Sequence, residues 1–218
     1  MGYFPFFVDL SGRKCLIVGG GTIALRKAQS VLEYGAVEPY EGETTVLHYL
    51  EVLRDKVGFD KLKERYKEAV ELLEREFEEK DIEDKFFVVA ATDDEQVNKK
   101  VSEICFRKNT LVNTVDRKEY CNFYFPSIIK DGDIVVGVSS GGNSPVLARE
   151  LRKKIEGVIP KNLDNINRWL GEIRPYIKEK ISDEIERKKY FEKIYAECEK
   201  KGDVLYQDEL EEILKQEV

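Results

Sequence analysis

Imidazole is scarce in this chain: 218 residues contain one histidine, His48, beside one methionine and one tryptophan. Catalytic zinc and non-haem iron sites draw on two or three histidines, so most such designs are excluded and no metal ligands are assigned. The four cysteines stand far apart at 15, 105, 121 and 198, without a C-x-x-C pair, so neither a zinc ribbon nor a disulfide lattice is indicated. No apolar run nears the length of a membrane span. The opening MGYFPFFVDL lacks the basic stretch of a secretory signal. Reduced cysteines without an export signal fit the cytoplasm. A basic excess is missing too: the net charge is −7, although 36% of residues are charged. Most of that charge is mixed Lys and Glu, so non-specific nucleic-acid binding is not expected.

What is present is a chain long enough for one large domain or two modest ones, able to bury a full core. "KCLIVGG" reads as a buried strand closed by glycine, followed by a helix with Ile23, Ala24, Ala28, Val31 and Leu32 on one face and Gly35 at its end. Further strands are read at 85–91, 110–115 and 133–139, with a helix over 94–107. Strands alternating with helices predict an α/β fold with a parallel sheet covered on both faces. Between 37 and 80 the pattern is less regular. Val46, Leu47, Leu50, Leu53 and Val57 recur at helical spacing, and "VELLEREF" at 70–77 reads as helix end or strand. From Ser144 onward the chain is helical, with Ser144 at an N-cap, Pro145 at the first helical position, and Pro160, Pro175 and Gly202 as punctuation.

"VGGGTIA" fits G-x-G-x-x-A through Gly19, Gly21 and Ala24. Gly19 permits the sharp turn, Gly21 lets a diphosphate approach the backbone, and Ala24 keeps helix and strand close. The phosphates would rest on free N–H groups near Thr22 and Ile23. An acidic partner for the ribose is expected some 20 residues on, where Glu41 and Glu43 stand, with Thr44 the neighbouring hydroxyl; the two acids are equally readable as loop surface. No Lys or Arg occurs between 37 and 53, which favours NAD over NADP. Ala91 and Thr92, in "AATDD", would line the cofactor from the next strand, and Asp93 or Asp94 can cap the helix that follows.

The stretches "YFPFFVDLSGRKCLIVGGGTIALRKAQSVLEYGA", "VVAATDD", "LVNTVD" and "NFYFPSIIKDGDIVVGVSSGGNSPVLARELRKKIE" resemble the precorrin-2 dehydrogenase family, the dehydrogenase/ferrochelatase portion of siroheme synthase. The resemblance covers about 1–36 and 70–160. It implies an NAD-binding Rossmann domain at 1–113, a dimerisation segment at 114–144 that builds a homodimer, and a helical domain at 145–218. It implies NAD⁺-dependent oxidation of a tetrapyrrole substrate, precorrin-2, to sirohydrochlorin. In some members Fe²⁺ is then a co-substrate, inserted to give siroheme. The chain is short for the further methyltransferase domain of full siroheme synthases and so resembles the stand-alone form. The link from Val37 to Ala69 is longer and more helical than the family pattern, and the resemblance makes 70–77 a strand.

Asp116 ends the strand "NTLVNTVD" at the sheet edge where ligands bind, and it matches the family's proposed catalytic aspartate; it also reads as a turn residue opening "DRKEY". A substrate rich in carboxylates calls for local cations, with Arg149 the candidate clamp and Arg117, Lys118 and Lys130 nearby. "SSGGNSP" offers an anion nest through Ser140 and Gly141, equally a plain N-cap turn; Ser140 matches a family serine that can be phosphorylated. A competing class is a non-catalytic NAD-binding sensor or assembly module. A generic Rossmann oxidoreductase is disfavoured, because no Tyr stands four before a Lys at the right place after the fourth strand, and His48 sits too early.

Overall fold

The structure is a computed structural model that describes residues 4–35, 46–49, 56–66 and 69–216, with only the backbone of 46–49 and 56. Two compact units divide the chain, Met1–Phe125 and Pro126–Val218.

In the first unit the apolar run "CLIV" forms β1 (Cys15–Val18), and α1 (Thr22–Gly35) follows the glycine turn. Next come β2 (Val46–Tyr49), α2 (Lys56–Tyr66), β3 (Phe87–Ala90), α3 (Glu95–Lys108) and β4 (Leu111–Thr114). The four strands form one parallel sheet in the order β2-β1-β3-β4. Strands buried on both faces need apolar residues at every position, hence unbroken runs rather than alternation. Cys15, Ile17, Phe87 and Val89 pack with Ala24, Ala28, Val31, Leu32 and Phe59 on one face. Leu16, Val18, Val88 and Ala90 pack with Val101, Ile104 and Cys105 on the other. This is the Rossmann-like sheet expected from the sequence.

Three local expectations are corrected. The helical spacing of Val46 and Leu47 does not give a helix there, because Val46–Tyr49 pairs with β1 and satisfies the polar groups of that strand's outer edge. The expected strand at 70–77 is absent. Val70 and Leu72 pack on the α1 face of the sheet, whereas Leu73 and Phe77 pack on the α3 face. That alternation would suit a strand, but the stretch pairs with no other strand among the described residues, so no ladder forms. The strand read at 133–139 is β6 (Ile134–Val138), but it leaves the parallel sheet. It pairs antiparallel with β5 (Ser127–Asp131) through the two-residue connection Gly132–Asp133. Gly132 has φ +55, and so short a loop can only make a hairpin.

The second unit continues with α4 (Pro145–Glu156), α5 (Leu163–Lys180), α6 (Glu184–Lys201) and α7 (Gln207–Lys215). Ser144 caps α4 as expected, accepting from the Leu147 N–H at 3.1 Å. Gly202 ends α6 at φ +72. Pro175 does not punctuate: α5 runs through it. The bond lost to the Gly171 carbonyl is outweighed by burial of Ile166 and Ile177 in the core of α5, α6 and α7.

Candidate active site

Register sets the frame. Val18, Ala90 and Thr114 are level with one another, so β1, β3 and β4 end at one edge, and the chain leaves them at Gly19, Ala91 and Val115. Ligands of parallel sheets bind at that carboxyl edge.

The two key glycines of the turn have different jobs. Gly19 sits at φ +129, and a Cβ there would lie 2.2 Å from the Ala91 carbonyl oxygen and 2.9 Å from the Thr92 nitrogen. It is the point where the turn after β1 touches the loop after β3. Around Gly21, by contrast, an added Cβ would meet no atom of the described residues within 4 Å. That open space lies at the N-terminus of α1, where the first N–H groups have no intrahelical acceptor and the helix dipole favours negative charge. Ala24 is fully buried, as close helix–strand packing requires, while Thr22 and Ile23 are exposed beside the opening. Gly21, Thr22 and Ile23 are thus the residues that could hold a dinucleotide's diphosphate. Glu41, Glu43 and Thr44 lie outside the described residues.

Ala91 and Thr92 are held by a residue that no sequence motif singles out. The Asn98 side chain, 6% exposed, accepts from the Thr92 N–H at 3.1 Å and from its hydroxyl at 2.8 Å. Its amide group donates to the Thr92 carbonyl at 2.9 Å. Asp94 caps α3, accepting from Gln96 and Val97, as expected of one of the two aspartates. The signal for Asn98 is its place on the stripe Val97, Val101, Ile104 and Cys105: a polar residue on a core face needs a partner.

Asp116 is exposed, in a tight turn just beyond β4, with φ +58. Asp tolerates this left-handed conformation better than most residues. Cys121 holds the turn. Its thiol sulfur accepts from the Thr114 N–H at 3.1 Å and lies 3.2 Å from the carbonyl oxygens of Thr114 and Arg117, to either of which it can donate. Burial pushes this thiol's pKa up, which suits a neutral clasp rather than a nucleophile. Cys105 and Cys121 are both buried, but Cys121 is not merely apolar filling. Arg117 pairs with Glu95 at 2.7 Å, so its charge is already engaged. The aromatic run after the turn covers the sheet: Phe123 and Phe125 stand 5.4 and 5.9 Å from Phe87, ring to ring.

Lys27 of α1 is partly buried, with its ammonium 3.8 Å over the Phe125 ring. Withdrawal from water, with Arg26 adding repulsion, lowers its pKa to about 8.

Within the second unit, Ser140, Gly141 and Arg149 belong to the loop before α4 and to α4 itself. Ser140 accepts from the Ser144 N–H at 3.0 Å, and Gly141 has φ +62 with open space where a side chain would stand. Arg149 is exposed and lies 3.5 Å from Glu150. The structure thus gathers Gly19, Gly21, Thr22, Ile23, Ala91, Thr92 and Asp116 on one sheet edge, and Ser140, Gly141 and Arg149 in the other unit. An open groove of about 790 Å³ runs along Asp93, Asp94, Glu95, Gln96, Lys99 and Tyr120. Three carboxylates against one ammonium make it a poor seat for a diphosphate, and the glycine turn is the better one. Among the described residues no group of three or more His, Cys, Asp or Glu side chains is arranged to hold a metal ion, and no helix is long and apolar enough to cross a membrane.

A parallel sheet with a ligand-accepting glycine turn at its carboxyl edge defines a dinucleotide-binding protein, and residues 6–127 match the family described as putative NAD(P)-binding. The chain belongs to that family. Residues 131–157 match the model described as sirohaem biosynthesis protein central. The chain is similar to the siroheme synthases of Mannheimia succiniciproducens and Tolumonas auensis, at 38% identity over 200 residues and 39% over 196. Those alignments cover 89% and 90% of this chain but only 38% and 39% of the relatives, so the chain spans about two fifths of their length. A solved structure, SirC, precorrin-2 dehydrogenase, superposes with a TM-score of 0.70 at 22% identity, covering 98% of both chains, which shows a shared fold. The resemblance drawn from the sequence motifs stands on these matches.

Proposed function

We propose that the protein is an NAD-dependent dehydrogenase that oxidises precorrin-2 to sirohydrochlorin in siroheme biosynthesis. The observation that carries this reading is the open space over Gly21, on the same sheet edge that ends in Asp116. Gly21, Thr22 and Ile23 hold the diphosphate, and Ala91 and Thr92 form the opposite wall. NAD⁺, when bound, supplies the hydride acceptor. The protein's own part is to orient the ring carbon and to receive the proton lost beside the hydride. Asp116 takes that proton: it is an exposed carboxylate at the edge where substrate meets cofactor, in a turn clasped by Cys121. The absence of Lys and Arg from 37–53 leaves little support for a 2′-phosphate and favours NAD.

Ser140, Gly141 and Arg149 bind substrate carboxylates, the first two through a backbone nest and Arg149 through its forked donors. Two copies of the chain form the working unit. Support comes from α4, whose Val146, Leu147 and Leu151 are 59%, 60% and 45% exposed, a costly face for a lone chain. Fe²⁺ is a second substrate, with Asp116 accepting pyrrole protons as the ion enters. The test is direct. Purified protein with NAD⁺ and anaerobic precorrin-2 should yield NADH and sirohydrochlorin, and Asp116→Asn should lower kcat by ~10²-fold with little change in NAD⁺ affinity. Turnover within twofold of wild type in Asp116→Asn would remove the assignment of the base.

A further inference from the structure

The wall of the cofactor cleft opposite the glycine turn hangs on one side chain. Thr92 has three polar groups: a backbone N–H, a backbone carbonyl and a hydroxyl. Asn98 engages all three, at 3.1, 2.9 and 2.8 Å. The hydroxyl also lies 2.9 Å from the Asp94 carbonyl, closing the loop onto the first turn of α3. The preceding residue, Ala91, is the one Gly19 touches so closely that no side chain fits between them. Asn98, Thr92, Ala91 and Gly19 therefore form one mechanical chain from α3 to the glycine turn.

A purely local role predicts less. An asparagine in a helix costs roughly half a kcal/mol against alanine, and a cap is already provided by Asp94. Stabilising α3 does not need it. What only Asn98 does is fix the Ala91–Thr92 peptide: it accepts from that peptide's N–H, while the peptide's carbonyl lies against Gly19. A planar amide is the one neutral side chain that offers an acceptor and a donor side by side. Aspartate has no donor for the Thr92 carbonyl and alanine has neither group.

Resting on the reading that the cleft binds NAD, we infer that Asn98 is a positioning residue for the cofactor, setting the gap between the Ala91–Thr92 wall and the glycine turn. It touches Thr92, not the ligand.

The experiment measures NADH dissociation constants of the full chain, well below the unfolding midpoint, for wild type, N98A, N98D and V101A. Val101 is fully buried in the α3 face of the sheet and its side chain has no polar group to offer the loop, so V101A is the control for lost stability alone. NADH affinity should fall about tenfold in N98A and at least threefold in N98D, and stay within twofold of wild type in V101A. N98D is isosteric and keeps the acceptor side, so it reads out the lost donor even if N98A does not fold. Folded Asn98 variants that bind NADH within twofold of wild type, or V101A weakening binding as much as they do, would overturn the inference. Wild-type protein that takes up no NADH would instead remove the dinucleotide reading itself, and this inference with it.

Discussion

Gly19 and Gly21 stand two residues apart in one motif, yet they should fail in different ways. Gly19→Ala forces a Cβ into the Ala91 carbonyl and holds alanine at φ +129. It should destabilise the first unit by on the order of 3 kcal/mol, seen as a lowered urea midpoint. Gly21→Asp should leave stability within ~0.5 kcal/mol of wild type while abolishing NADH binding, because the side chain enters only the space assigned to the diphosphate. A Gly21→Asp protein that still binds NADH would discount the turn. Lys27 gives a prediction in pH. Its folded pKa is about 8, against an ordinary 10.5 in the unfolded chain. Between those values the unfolded chain binds a proton the folded one does not, so stability rises as pH climbs from 8 to 10.5. Lys27→Met should flatten that rise in chemical denaturation; parallel profiles for the two proteins would contradict it. At this scale the motif glycines and Asp116 are legible in the sequence, because each sits where a strand run stops. Asn98 and Cys121 are not, because their partners are loop backbone, whose path no periodicity reveals.

At the scale of elements, the helix starts are the easiest to read, since a cap depends on residues a few positions apart. Asp94→Ala should remove two hydrogen bonds at the start of α3. It should cost ~1 kcal/mol, measurable as a shift in thermal midpoint; an unchanged midpoint would mean Glu95 or solvent replaces the cap. β1, β3 and β4 are legible from unbroken apolar runs. β2 is not: Val46 and Leu47 suit a strand or a helix, and pairing with the edge of β1 decides between them. The hairpin of β5 and β6 is half legible. The run "DIVVGV" marks a strand, but nothing in it says which sheet it joins, and the short Gly132–Asp133 turn decides that by folding it back on β5. Pro175 shows the reverse case, where a helix-breaking residue is carried by the buried face of α5.

At the scale of the molecule, the two units divide the work along lines the composition foreshadows: an α/β half that ends at the aromatic run, and a hairpin followed by helices. The first unit carries the open glycine turn and the exposed aspartate; the second carries the serine–glycine loop and Arg149. The central claim is that a dinucleotide bound over Gly21 meets a tetrapyrrole beside Asp116. Its most direct test is anaerobic turnover of precorrin-2 by the purified chain, followed by NADH absorbance and sirohydrochlorin formation together. The account expects one NADH per sirohydrochlorin, with no product from Gly21→Asp protein that folds as wild type does. Sirohydrochlorin formed by that variant at the wild-type rate, or none formed by wild type that binds NADH, would contradict it.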